Sequence, residues 1–262
     1  KSLEQLRDNV RETNLEKNLR AKDIALLGIG AVVGVGIFVA TGEGAHSAGP
    51  GIILSFVLAG IVACLCGLCY CELATMFPVA GSTYSYAYIA FGEFIAMIIG
   101  WCLTAEYLVA VSAVASGWSG TFKGVLQSAG ITLPKVIAFS PSNGGVVDLP
   151  AVIIILLLTC LLCYGMHESS RVNNIIVGVK IFIILLFIFL GISHINVSNY
   201  KPFMPYGWKG VFTGASTVFF SFIGFDAIST SAEEAVNPKK DVSRGIIMCL
   251  IVVSILFISV AV

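Results

Sequence analysis

Seven stretches of the chain are apolar for long enough to cross a bilayer as helices: about 24–41, 50–77, 94–122, 149–166, 172–193, 210–235 and 245–262. A hydrocarbon core about 30 Å thick takes about 20 helical residues to cross. Polar joints separate the stretches: Gly42 to Gly49, Pro78 to Glu93, Lys123 to Asp148, His167 to Arg171, His194 to Lys209 and Val236 to Arg244. Ahead of the first lies a polar segment, Lys1 to Lys22, with Leu3, Leu6, Val10, Leu15 and Leu19 at roughly helical spacing. It reads either as an amphipathic helix on the inner membrane face or as a solvated tail. The opening residues do not form the short basic region and apolar core of a cleavable signal. The last stretch runs out at Ile258 to Val262 with no polar flank, and the expectation is a fragment of a longer chain.

Composition agrees with lipid as the main solvent. Of 262 residues, 57% are hydrophobic and 11% charged, against about 25% charged in a soluble domain. A formal charge of zero excludes the basic excess of a nucleic-acid binder. Charge also orients the chain. With the N-terminus inside, the cytoplasmic joints hold Lys1, Arg7, Arg11, Lys17, Arg20, Lys22, Arg171, Lys239, Lys240 and Arg244. The outer joints hold only Lys123, Lys135, Lys201 and Lys209. A cytoplasmic N-terminus follows. The eight cysteines all fall in apolar runs, away from any histidine, and read as small packed hydrophobes. No pattern asks for a metal or another cofactor.

The candidate chemistry begins with glycine. Gly28 to Gly42 holds five glycines in fifteen residues, each costing about 1 kcal/mol against alanine inside a helix. Either Gly30 and Gly34 admit a close neighbouring helix, or the helix breaks at Gly34 to Gly36 and frees backbone groups for a ligand. The sixth stretch favours the break. Gly224 is followed there by Asp226, Ser229, Thr230 and Ser231, and freed backbone at membrane depth is tolerated only where it lines a cavity or is buried in protein. Interruptions five helices apart point to an inverted repeat and a shared binding site. A faint trace agrees: Gly34, Glu43 and Ala45 precede Gly224, Glu233 and Ala235 by the same interval.

Lys180, about eight residues into the fifth stretch and so near the middle of the bilayer, lies among Ile175, Ile176, Val177, Val179, Ile181 and Phe182; it is expensive to keep charged there, and so is a functional candidate. Glu106, in the third stretch, reads equally as a proton or substrate group and as a structural hydrogen-bonding residue. Glu72, Glu233 and Glu234 lie near the inner ends of their stretches and read as structural or solvated. His46, His167 and His194 fall in joints and need no functional role.

These motifs resemble a known family. The run from Gly28 to Phe38 is similar to the start of the amino acid–polyamine–organocation superfamily. Phe220 to Glu234 resembles the sixth helix of its cationic amino acid transporter branch, in bacterial-type form. Cys71 to Tyr84 looks like its second-to-third helix loop, and Glu168 to Asn174 with Lys180 like the entry to its fifth helix. The resemblance implies an all-α integral membrane protein with the LeuT-type 5+5 inverted repeat, helices one and six unwound. Residues 1–22 become a cytoplasmic tail, 23–193 the first five-helix repeat, and 194–262 the start of the second repeat with helices six and seven. It implies that the backbone N–H groups near Val35 and Gly36, with Gly34 beside them, receive a substrate carboxylate. The carbonyls of Val32, Phe220, Ser221 and Ile223 meet its ammonium, Gly224 lines the site, and Phe225 helps to gate it. Lys180 stands where sodium-coupled relatives bind an ion, with Glu106 a second proton-coupling candidate.

The reading is therefore an amino acid transporter of the plasma membrane, working by alternating access and driven by protons. Small neutral amino acids are the expected substrates, and an accessory small membrane subunit stays open. A seven-helix receptor or retinal protein competes on segment count, but Gly245 to Val262 offers no lysine for a chromophore. A membrane-embedded enzyme using Asp226 and Glu106 lacks any accompanying catalytic pattern.

Overall fold

The computed structural model describes residues 17–34, 36–77, 79, 81–164 and 166–262, without the side chains of 142 and 164–174. The tail up to residue 16 lies outside them, as does Val35. The described chain is mostly helical, and its only extended pairing is an isolated bridge between Leu19 and Ala235. Five helical stretches are long and apolar enough to cross a membrane: Gly36–Met76, Glu93–Ser128, Ile175–Ile192, Gly207–Glu233 and Pro238–Ala261. Leu149–Cys163 is a shorter apolar helix.

The helices depart from the expected spans in instructive ways. The first expected span is not one helix: α1 covers Ala21–Val32, and a π-helical turn follows at Gly36–Ala40. The joint expected at Gly42 to Gly49 is mostly helix, α2, Thr41–Ala48, ended by Gly49 at φ +62°. Next, α3 runs Ile52–Met76. Within the loop expected at Pro78 to Glu93, residues Ser82–Phe91 form α4. Helix α5, Glu93–Ser128, overruns its expected end at 122, because Lys123 to Ser128 holds no proline and the single Gly124 is tolerated inside a helix. After a short helix α6, Lys135–Ala138, come α7, Leu149–Tyr164, and α8, Met166–Ile192. Helix α8 passes through the joint expected at His167 to Arg171, whose side chains lie outside the described residues. Helix α9, Gly207–Phe219, leads into the interrupted sixth segment. Finally α10, Pro238–Ala261, starts seven residues before the expected span, with Pro238 in its first turn, where the missing N–H costs nothing.

The chain divides into two compact units, one of residues up to 101 with Ile181–Val262, the other Cys102–Lys180. In the first unit α10 packs against α1 and α3, and α9 against α2 and α3. Small residues set these approaches: a Cβ on Gly28 would sit 2.3 Å from Ile228, and one on Gly67 2.4 Å from Leu250. Phe222 and Phe56 both meet the Phe257 ring, at centroid distances of 5.1 and 5.7 Å.

In the second unit a polar cluster ties the connection between α5 and α7. Lys123 Nζ donates to Asp148 Oδ2 at 3.0 Å and to the Ala138 carbonyl at 2.5 Å, over the Phe139 ring. Ser119 Oγ donates to Asp148 Oδ1 at 2.5 Å, and the Ala151 N–H reaches that same oxygen from the first turn of α7. Burial alone pushes the Asp148 pKa up, but the hydrogen bonds and the Lys123 charge outweigh it and hold the carboxyl below its ordinary range. A depressed carboxyl stabilises the fold above its unfolded pKa, and the contribution fades as pH falls through the folded value. Asp148→Asn should cost about 1 kcal/mol near neutral pH and nothing in strong acid. Faster exchange of the Val146 and Val147 amides, which bond to the Val136 carbonyl, reports the loss; equal exchange at pH 7 sinks the prediction.

Candidate functional site

The first and sixth segments break where they face each other. Helix α1 stops at Val32, which is 3% exposed, and Val33 turns extended at φ −74°, ψ 95°. Helix resumes only at Gly36, where the first N–H groups of a helix have no partner within it. In the sixth segment α9 tightens to a 3-10 turn over Phe220–Phe222; Ile223 then turns extended at ψ 137°, and Gly224 takes φ +110°. Only glycine adopts that conformation without strain, so Gly224 is what permits the break. A second 3-10 stretch, Asp226–Glu233, completes the segment.

The two breaks touch. A Cβ built on Gly36 would lie 2.5 Å from Ser221 Cα and 2.6 Å from its Oγ. Gly224 faces the Ala31 carbonyl, 3.4 Å from where its own Cβ would be. Gly34 differs, with nothing within 4 Å of a Cβ placed there. Among the described residues nothing lies against Gly34 as close helix packing would require, whereas Gly28 packs tightly on Ile228 and Cys249.

The side of the break that leads on to Ala235 is held by side chains of which sequence reading singled out only some. Phe225, 8% exposed, meets the Tyr70 ring edge-on at 5.6 Å, and the Tyr70 hydroxyl bonds Thr83 Oγ1. Ser229 Oγ donates its one proton to the Asp226 carbonyl at 2.6 Å and lies within hydrogen-bond distance of Ser82 Oγ, at 2.9 Å. Thr230 and Ser231 likewise donate to the Ala227 and Ile228 carbonyls. Eight residues is long for a 3-10 helix, and these three hydroxyls bond to the carbonyls of its first turn. The Ser-Thr-Ser run was visible in the sequence, but Tyr70, among cysteines on an apolar helix, carried no signal. Below this, the Leu19 N–H donates to the Glu234 carbonyl at 3.0 Å, and the Val236 N–H to the Leu19 carbonyl at 2.9 Å. Leu19 thus pairs with the end of the sixth segment.

Of the expected site residues, the structure gathers Val32, Gly36, Phe220, Ser221, Ile223, Gly224 and Phe225, with Gly34 beside open space. The Val35 N–H lies outside the described residues. The Phe220 carbonyl, expected to meet an ammonium group, also accepts the Ile223 N–H at 3.2 Å. Lys180, half-buried on α8, and Glu106, exposed on α5, belong to the second unit. Among the described residues no three His, Cys, Asp or Glu side chains gather to hold a metal ion, and all eight cysteines are free thiols.

With that geometry in place, residues 19–262 match the family model described as amino acid permease. The chain belongs to the amino acid permease family. The permease is 47% identical to a methylthioribose transporter of Bacillus subtilis, covering 100% of this chain and 57% of that protein. It is 48% identical to the branched-chain amino acid permease BcaP of the same organism, over 95% of this chain and 55% of the relative. A chloroplastic cationic amino acid transporter of Arabidopsis thaliana is 39% identical over 94% of this chain and 45% of its own length. The chain thus spans about half the length of the curated relatives it matches. These likenesses agree with the resemblance to the amino acid–polyamine–organocation superfamily.

Proposed function

We propose that the permease moves L-amino acids across the plasma membrane by alternating access, in a LeuT-type inverted repeat of which this chain holds the first seven helices. The observation that carries the reading is the meeting of the two breaks at Gly36 and Ser221. The N–H groups near Val35 and Gly36 receive the carboxylate, at the positive end of the helix that begins there. The carbonyls of Val32, Phe220, Ser221 and Ile223 receive the ammonium, and Phe225 closes the site against Tyr70. A small neutral side chain fits the mostly apolar surroundings and the branched-chain permease among the relatives. Lys180 carries the coupling proton, with Glu106 as its helper, and the charge bias of the joints supports a cytoplasmic N-terminus.

Purified permease in liposomes should accumulate an L-amino acid when the outside is acidified without sodium. A competition panel of the twenty amino acids plus methylthioribose then ranks the substrates. Strict sodium dependence would remove proton coupling. Uptake of methylthioribose alone would remove the amino acid reading in favour of the substrate class for which that relative is named.

A further inference from the structure

The hydroxyl of Ser221 differs from most helical hydroxyls in having no partner, as does that of Ser254 on α10, but Ser221 alone of the two lies at the breaks. Ser112, Thr121, Thr213, Ser216, Thr217 and Ser259 each donate to the carbonyl four residues earlier in their own helix. This back-bonding is how serine and threonine satisfy themselves in an apolar medium. Ser221 has the same opportunity, yet its Oγ has no hydrogen-bond partner, and the residue is 2% exposed. Solvent does not reach it either. A buried hydroxyl left unpaired is destabilising, a cost that an alanine at this position would avoid. The oxygen abuts Gly36, where a Cβ would lie 2.6 Å away. It therefore stands beside the N–H groups that open the helix at Gly36, donors without partners in that helix. A hydroxyl that joins a group of donors is matched by an acceptor with several lone pairs, and a carboxylate is that acceptor.

We propose that the Ser221 hydroxyl donates a hydrogen bond to the substrate's carboxylate, and is held unpartnered until the two breaks part to admit it. The proposal rests on the amino acid reading above. It adds a side-chain contact to what that reading assigns to backbone alone. In the empty state the unpaired hydroxyl disfavours the collapsed contact between the breaks, and in the bound state it gains a charged partner. Both effects act on the same equilibrium and strengthen binding. Because the carboxylate is common to every amino acid, the contribution is the same whatever the side chain.

The test is Ser221→Ala in the purified permease, with L-alanine, L-valine and L-leucine as ligands. Affinity should fall about ten- to a hundredfold, the loss expected for one hydrogen bond to a charged group, and by one common factor for all three. The melting temperature without ligand should hold or rise, since the substitution removes an unpaired hydroxyl, while the amino acid-induced upward shift shrinks. Unchanged affinity overturns the proposal. A factor that varies with the side chain, or a lower ligand-free melting temperature, also overturns it, the latter because it marks an ordinary structural role. If the unaltered permease binds none of the twenty amino acids, the transport reading itself falls and takes this contact with it. That outcome is distinct from a permease that binds them with or without Ser221.

Discussion

Gly36→Ala should abolish uptake and destabilise the permease, whereas Gly34→Ala, two residues away, should leave it folded. The added carbon at residue 36 meets Ser221 Cα at 2.5 Å, a backbone atom that cannot rotate aside. Either the breaks separate or the sixth segment shifts, and overpacking of this kind costs about 1–3 kcal/mol. The segment has little freedom to shift: Phe222 beside Ser221 is fully buried against Phe257, and Gly224 sits close to the Ala31 carbonyl. At Gly34 a methyl group meets nothing within 4 Å. That variant should melt within about 1 kcal/mol of the unaltered protein, since alanine is not disfavoured in helical or extended backbone. Its methyl group would still occupy open space beside the candidate site, so amino acid affinity should fall while stability stays. Melting temperatures and radiolabelled uptake for the two variants decide the matter. Unaltered uptake by Gly36→Ala would mean that the observed contact between the breaks is not part of the working site.

Both helix breaks were legible in the sequence, for a physical reason. A membrane-spanning sequence has few ways to spend glycine and polar residues, so Gly34-Val35-Gly36 and Gly224-Phe225-Asp226 stand out against their apolar runs. What the sequence left open at the first break was packing against opening, because both use small residues. The difference lies in what faces each glycine across the fold: Ile228 and Cys249 at Gly28, the backbone of Ser221 at Gly36, and nothing near Gly34. Element boundaries were less legible. Thr41 to Ala48 is polar by composition yet helical, since Gly49 rather than Gly42 supplies the positive φ that ends the helix. Residues Ser82 to Phe91 read as a loop for their serines and for Pro78, although the run from Tyr84 onward has no breaker before Gly92. Partners distant in the chain left no trace at all. Tyr70 on Phe225, Ser82 on Ser229 and Leu19 on Glu234 are contacts of tertiary structure, and no local pattern announces them.

Lys180→Ala should reduce acid-driven accumulation to simple equilibration, at least a tenfold loss of the concentration ratio if coupling runs through this residue. The fifth apolar stretch, 172–193, places Lys180 about eight residues inside it, about 12 Å along the helix axis. That is near the bilayer centre, and an alanine there removes the charge and the proton together. The alanine variant alone therefore does not separate a proton carrier from a fixed positive charge. Lys180→Arg does. Arginine keeps the charge and a similar reach but does not release its proton in a protein. A coupling role predicts that arginine and alanine both lose acid-driven uptake, while amino acid binding at constant pH stays within about threefold, a difference of roughly 0.7 kcal/mol. A role as a fixed cation predicts that arginine restores what alanine removes. Restored uptake in Lys180→Arg would take the proton away from this lysine and leave Glu106 as the next candidate to carry it, tested in the same way by Glu106→Gln.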